Sequence, residues 1–205
     1  MTQDNSNEVV SEIERTANTL VKPAMVRKAG LMATEFIRDH IYHGSKLTPL
    51  SPVTKAYRGE GKPLQDTGHL RDSFSYEVKG NMAIVGTTSK YAAVHNNGAT
   101  ISAKNAKWLC IPAQGTRQLE RRYGKQPRDV IQGLKDNGFN VYRPKNSRCM
   151  YYQSRRKNSK PHVLYYLKKQ VVIPKREFFY LTKKEIKQIT QEIGNDIFSS
   201  NAPVR

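Results

Sequence analysis

Between residues 37 and 74 the spacing of apolar residues changes from helical to strand-like, and this change restricts the possible folds more than any other feature of the chain. Upstream, Val9, Ile13, Leu20, Met25, Leu31, Phe36 and Ile37 recur at roughly helical intervals and predict a helix over 8–42. Pro23 lacks an amide hydrogen and should kink that helix or split it in two. Gly44 suits its C-terminal end. Downstream, Phe74, Tyr76 and Val78 alternate, the chain turns over Lys79–Asn81, and Met82, Ile84 and Gly86 alternate again, which predicts a β-hairpin. The segment between, 45–67, carries three prolines and two glycines and reads as an extended loop. One helical turn near Ser51–Tyr57 is expected there, with Pro52 in its first turn. Residues 67–73 should form a short helical turn capped by Thr67.

The C-terminal part closes on a helix with a clear start. In "LTKKEIKQITQEIGNDIF", Thr182 and Glu185 have capping-box spacing, and Ile186, Ile189, Ile193 and Ile197 form an apolar stripe. The last residues, "SSNAPVR", should fray. Short apolar runs occur in "AKNAKWLCIPA", "CMYYQS" and "HVLYYLKKQVVI", and the last two read as strands rich in Tyr, Val and Ile. "PRDVIQGLKDNG" reads as a short helix bounded by Pro127 and Gly138. Together these predict one α+β domain over 1–205, with an antiparallel β-sheet packed by the N- and C-terminal helices. Its parts are a helical N-terminus (8–42), the extended loop (45–67), the hairpin and following turn (68–113), a long basic loop/strand excursion (114–160), and a strand with the C-terminal helix (161–198).

Charge identifies the class of partner. The 205 residues hold 35 Lys+Arg against 17 Asp+Glu, a formal net charge of +18. Residues 117–160 alone carry 13 Lys/Arg and 3 Asp/Glu, a net of +10. Such a surplus points to a polyanion, an acidic protein surface or anionic lipid. Clusters at Arg121-Arg122, Arg155-Arg156-Lys157 and Lys168-Lys169 are interleaved with Tyr123, Tyr142, Tyr151, Tyr152, Tyr165 and Tyr166. Arginine with aromatics can hold nucleic acid by phosphate neutralisation and base stacking. The tyrosines are equally explained as strand residues. Arg117, Arg121, Arg122, Lys125, Arg128, Arg155, Arg156 and Lys157 are therefore candidates to face either DNA or an acidic protein. No apolar run nears the about 18 residues of a membrane span, and "MTQDNSNEVV" lacks a signal-peptide pattern, so a cytoplasmic chain without membrane contact is expected. Cys110 and Cys149 are too few for a disulfide framework and read as free thiols.

Catalytic and metal chemistry find little support. His40, His43, His69, His95 and His162 are scattered, and none has metal-ligand spacing with a second ligand. His40 and His43 share a helix face, where a cation suits the macrodipole. Asp66, Asp72 and Glu77 are near in sequence but read as turn and surface residues. In "VGTTSKYAAVHNNG", His95 would need an orienting partner and a nucleophile to act as a base, and neither is signalled. It reads instead as a histidine that holds a loop. No enzymatic activity, metal or cofactor is expected.

The order of motifs is specific. "LTPLSPVTKAYRGEGKPLQDTGHLRDSFSYEV", then "GTTSKYAAVHNNGATI", then "VLYYLKKQVVIPKREFFYLTKKEIKQI" resembles the phage virion morphogenesis family, which includes the G protein of Mu-like phages and related tail completion proteins. A looser form of the pattern is found in siphophage head-tail joining proteins. The motif positions are Pro49, Leu50, Ser51 and Thr54; Leu64, Thr67, Gly68, Leu70 and Ser73; Gly86, Thr87, Tyr91, Ala92, His95 and Gly98; and Ile173, Pro174, Arg176 and Phe178. The chain departs at Glu177, where the family usually has Pro, and in its long basic 114–160 region. The resemblance implies that the Tyr-Ala turn tucks against the sheet and that "IPKREFF" returns a strand beside it. It implies a structural virion protein acting in tail completion or head-tail joining, as a homo-oligomeric ring, with hexamer the expected size. The partners implied are further copies of itself, neighbouring neck, connector or tail-tube proteins, and genome DNA in the channel. Its location would be the virion, with assembly in the host cytoplasm. A tail terminator proper and a non-sequence-specific nucleic-acid-binding protein are the alternatives.

Overall fold

A computed structural model of the chain describes residues 22–44, 46–104 and 106–200. In chain order the elements are α1 (Pro23–His43), α2 (Pro52–Arg58), α3 (His69–Asp72), β1 (Phe74–Lys79), β2 (Met82–Thr87), α4 (Ala92–Asn97), β3 (Ala99–Ser102), β4 (Leu109–Pro112), α5 (Thr116–Tyr123), α6 (Pro127–Asp136), β5 (Phe139–Tyr142), β6 (Cys149–Ser154), β7 (His162–Lys168), β8 (Gln170–Ile173) and α7 (Lys183–Ser200). The fold is α+β, and every strand pairing is antiparallel. The described residues divide into two compact units: 22–44, 67–92 and 177–200 form the first, and 46–66, 93–104 and 106–176 form the second.

In the first unit, α1 packs on both strands of the β1–β2 hairpin and on α7. Its buried residues are Met25, Val26, Gly30, Ala33, Thr34, Ile37 and Ile41, a stripe at three- and four-residue spacing. Leu31 lies off that stripe and is exposed, unlike the sequence expectation. Pro23 stands at the start of α1. It occupies the first turn, where no intrahelical amide is required, after Lys22 in extended backbone. The predicted helical residues 8–21 lie outside the described residues. Gly44 ends the helix in left-handed backbone, φ 59°, with its N–H on the His40 carbonyl. Gly30 is where helix and hairpin come closest: a Cβ there would lie 2.5 Å from the Tyr76 ring.

The predicted hairpin forms, and its register assigns the two faces. Phe74 pairs with Thr87, Tyr76 with Val85 and Val78 with Ala83, so these six side chains share one face. Met82 and Ile84 fall on the other face with Glu77 and Lys79, and are 64% and 47% exposed. The inward set on β2 is thus Ala83 and Val85. The turn itself is Gly80-Asn81, with Gly80 at φ 57°.

Thr67 does not cap α3. The residue before the helix is Gly68 at φ 80°, a left-handed conformation that threonine disfavours, and no side chain caps the start. At α7 the capping box forms as the spacing predicts. Thr182 N–H and Oγ1 donate to Glu185 Oε2 at 2.7 and 2.8 Å, and Glu185 N–H donates to Thr182 Oγ1 at 3.3 Å. His40 Nε2 lies 2.8 Å from Glu185 Oε1, and its ring stacks on Tyr180 at 4.3 Å between centroids. His40 therefore has a side-chain partner as well as a place near a helix end. Lys28 bridges Glu192 and Asp196 on α7 at 3.1 and 3.0 Å.

In the second unit a four-stranded sheet runs β4-β7-β6-β5, and β3 pairs with β8 separately. "HVLYYLKKQVVI" is thus two strands in two sheets, broken at Lys169. Val130 and Leu134 of α6 pack with Leu164, Tyr165 and Leu167 of β7 to make a core. Met150 pairs with Tyr165 but Tyr151 pairs with Val163, so Leu164 is the extra residue of a bulge. The Leu164 carbonyl instead accepts from Ala113 N–H at 3.1 Å and Thr116 Oγ1 at 2.7 Å. The bulge brings two consecutive residues, Leu164 and Tyr165, into the interior. The segment 114–160 contributes α5, α6, β5 and β6 to this unit.

The Glu185 carboxyl generates a pH prediction. Burial pushes its pKa up, but hydrogen bonds from Thr182 and His40 outweigh burial and hold it below the ordinary carboxylate range. A depressed folded-state pKa stabilises the fold above the unfolded value, about 4.3, and the gain is lost as pH falls through the folded value. Glu185→Gln should lower stability at neutral pH by about 1 kcal/mol and flatten the loss of melting temperature below about pH 4.3. Thermal melts of both proteins across that range check this.

Candidate functional site

Arg176 is the one cation in the apolar stretch "VVIPKREFF" that the structure buries, at 8% exposure. Its Nε donates to the Thr48 carbonyl at 2.8 Å and an Nη to the Pro49 carbonyl at 3.1 Å. Its backbone N–H donates to the His95 carbonyl at 2.8 Å. Thr48 Oγ1 donates back to the Lys175 carbonyl at 2.9 Å. Gly98 follows α4 at φ 73°, where a Cβ would meet Lys175 N at 2.9 Å and Ile173 O at 3.1 Å. Three motif segments far apart in sequence therefore meet at residues 173–176: the Thr48 and Pro49 carbonyls at the Arg176 guanidinium, and 95–98 at the backbone of Ile173, Lys175 and Arg176. Burial, then the charge of Arg58, lowers the Arg176 pKa from its ordinary value. Arginine stays protonated all the same.

The remaining motif residues shape the backbone near these points or in the first unit. Ser51 Oγ accepts from Thr54 N–H at 3.2 Å and caps α2, which Pro52 begins. Leu50 and Leu64 are half-buried, and Leu64 takes left-handed backbone at φ 62°. In the first unit Leu70 is buried, and Ser73 Oγ donates to its carbonyl at 2.7 Å and lies 2.6 Å from Thr87 Oγ1. Phe178 is fully buried edge-on against Phe74, 5.9 Å between centroids. Gly86 pairs with Ser75 in the hairpin. Ala92 is buried, whereas Tyr91 is exposed. His95 is half-buried in α4; burial, then Arg176, pushes its imidazole pKa down, which leaves it neutral at pH 7.

The basic candidates divide. Arg117 is committed internally: its guanidinium donates to Asp66 at 2.7 Å and to the Arg58 carbonyl at 3.2 Å, and lies over the Tyr57 ring at 5.9 Å. Tyr57 donates its hydroxyl to Glu120, and burial, then that carboxylate, pushes the phenol up to about 12. Arg121, Arg122, Lys125, Arg128, Arg155, Arg156 and Lys157 are exposed. Arg122 lies over the Tyr123 ring at 5.3 Å and borders a cleft of about 280 Å³ lined also by Leu119, Leu134, Phe139, Tyr152, Ser154, Ser159 and His162. Sequence patterning did not reveal this cleft, because its aromatics come from α5, β5, β6 and β7. Asp72 and Glu77 are paired with Arg71 and Lys79. Burial raises the Cys110 thiol pKa, which disfavours the reactive thiolate. Among the described residues no three His, Cys, Asp or Glu gather where a metal could be held. No described helix is long and apolar enough to cross a membrane.

Arg176→Lys tests the junction. An ammonium cannot reach two successive carbonyls as a guanidinium fork does. The lost bonds, each about 1.5–3 kcal/mol to a charged group, should destabilise the second unit by about 2–4 kcal/mol. Amide hydrogen exchange should accelerate first over 46–58.

Comparison with known proteins shows which family the chain resembles. The model of the phage virion morphogenesis family matches residues 14–126, so the Arg176 segment lies beyond the matched part. The Mu-like prophage FluMu G protein 2 of Haemophilus influenzae is 32% identical over 114 residues, covering 54% of this chain and 77% of that protein. No solved structure matches significantly. With the matched segment spanning more than half of its length, the chain belongs to the phage virion morphogenesis family.

Proposed function

We propose that this protein is a structural component of a tailed-phage virion that acts in tail completion or head-tail joining. It would form a homo-oligomeric ring, sixfold in keeping with tail symmetry, at the neck or the head-proximal tail end, against neck, connector or tail-tube proteins. The observation that carries this reading is how the residues of the motif pattern are used. Arg176, Gly98, Ser51, Ser73 and Phe178 hold backbone segments and core contacts in place, which is the work of a scaffold that presents surfaces. On this reading the protein performs no catalysis and takes no cofactor. Assembly would take place in the host cytoplasm. A tail terminator proper is the nearer alternative, since both roles place a ring at the end of the tail.

The outer face of the hairpin supports self-association. Met82 and Ile84 are exposed side by side on the hairpin face that also carries Glu77 and Lys79. A ring uses head-to-tail contacts, and an apolar patch on one face of a hairpin suits one half of such a contact. Met82→Glu with Ile84→Glu should leave melting within about 0.5 kcal/mol of the parent, as exposed substitutions do, and abolish rings in analytical ultracentrifugation. Rings of unchanged size would remove the hairpin from the interface.

Electron microscopy of particles made without this gene tests the role itself. Filled heads beside unattached tails indicate joining, and tails of irregular length indicate termination. Normal infectious virions would sink the structural role.

A further inference from the structure

The cleft beside Arg122 combines features that a simple charged surface does not need. Tyr152 is stacked against His162, 5.4 Å between centroids and 29° between planes, and meets Phe139 edge-on at 5.9 Å. Tyr123 carries the Arg122 guanidinium over its ring. Leu119 and Leu134 complete the apolar part of the lining, and Ser154 and Ser159 supply hydroxyls. At about 280 Å³ the space is below the range for drug-sized ligands, so it suits one planar heterocycle.

The turn that leaves the cleft at Ser154 is cationic, and its backbone is held in place. Arg155, Arg156 and Lys157 directly follow Ser154 and are exposed. The turn that carries them is pinned: Gln153 Nε2 donates to the Ser159 carbonyl at 2.5 Å, Arg156 N–H to Ser154 Oγ at 3.3 Å, and Ser159 N–H to the Arg156 carbonyl at 3.2 Å. A mobile cationic tail would give general attraction. A pinned cationic turn next to an aromatic cleft gives phosphate contacts at a set distance from a base-sized space.

We propose that this cleft is a binding site for single-stranded nucleic acid: one unstacked base enters the cleft and lies against its aromatic lining while Arg155, Arg156 and Lys157 hold the flanking phosphates. An acidic protein would satisfy the cations and leave the aromatic lining unused. Duplex DNA would satisfy the phosphates, but its bases are stacked and cannot enter. The site does not depend on where the protein sits in a particle.

Fluorescence anisotropy of the full-length protein tests this, with labelled oligothymidylate of about 20 nucleotides, which spans at least one site, and a duplex of equal length. A second oligonucleotide carries 2-aminopurine, whose emission is quenched on stacking. The single strand should bind at least about tenfold tighter than the duplex, with quenching, given the value of one stacked base. His162→Ala, at an exposed position, should weaken single-strand binding about tenfold and leave the salt slope unchanged, since it removes an aromatic ring and no arginine or lysine. Replacing Arg155, Arg156 and Lys157 by alanine should reduce the slope of log affinity against log salt by about 2, from three lost phosphate contacts at about 0.7 each. Circular dichroism confirms that the variants fold. Equal affinity for duplex, absence of quenching, or displacement of the strand by polyglutamate as readily as by unlabelled oligothymidylate would each overturn the proposal.

Discussion

The buried guanidinium of Arg176 is the constraint on which the second unit depends. Taking an ion out of water costs several kcal/mol even after relaxation. Here the cost is offset by hydrogen bonds to two successive carbonyls, Thr48 and Pro49, rather than by a carboxylate. Carbonyls belong to the main chain, so the bonds fix a loop and not merely a side chain. That loop is rich in proline and offers few amides of its own for a ladder. The Arg176 N–H on the His95 carbonyl extends the same restraint to the end of α4, and Gly98 allows the approach because a Cβ there would strike Lys175. Arginine is required by geometry, since only a planar fork reaches both oxygens.

Much of the first unit is legible in the sequence because its signals are local. Thr182 and Glu185 predict a capping box that forms atom for atom, and Gly80-Asn81 marks the turn that joins β1 to β2. Register is less local. Met82 and Ile84 are the larger apolar residues of β2 and attract an inward assignment, yet pairing places Ala83 and Val85 inside. The reason lies across the strand. Gly30 brings α1 close over Tyr76, and the space left on that face admits alanine and valine rather than methionine and isoleucine. Gly68 taking the place expected of Thr67 has a similar cause: the backbone there needs a positive φ, which is not visible from a side-chain capping pattern.

The second unit hides its core behind charge. From Arg117 to Lys160 the net charge of +10 suggests a solvated excursion, but Val130 and Leu134 are one helical turn apart and close onto Leu164, Tyr165 and Leu167. Val130, Ile131 and Leu134 mark this helix in the sequence but do not say which strand it covers. The consecutive burial of Leu164 and Tyr165 breaks the alternation expected of a strand, and only the bulge explains it. The motif positions were legible as a pattern, but their meeting around Arg176 was not, since hydrogen bonds to carbonyls leave no mark on the partner's residue type.

The acids of this chain explain where its positive surface comes from. Asp66 and Glu120 serve Arg117 and Tyr57, Glu185 holds the start of α7, Glu192 and Asp196 hold Lys28, and Glu35, Glu60, Asp72 and Glu77 pair with Arg38, Lys55, Arg71 and Lys79. More than half of the 17 acids are thus engaged within the subunit, and the surplus of +18 is left for the outside. Copies of such a chain repel one another over roughly the Debye length, about 8 Å at physiological salt. A closed ring then requires apolar contact strong enough to overcome that repulsion, or an anionic partner that neutralises it. The exposed Met82 and Ile84 can supply the first and the cationic turn at Arg155–Lys157 can recruit the second. Because only the second is screened by salt while repulsion is screened as well, ionic strength should favour ring closure and oppose polyanion binding. The two proposed roles of the surface are therefore separable by salt alone.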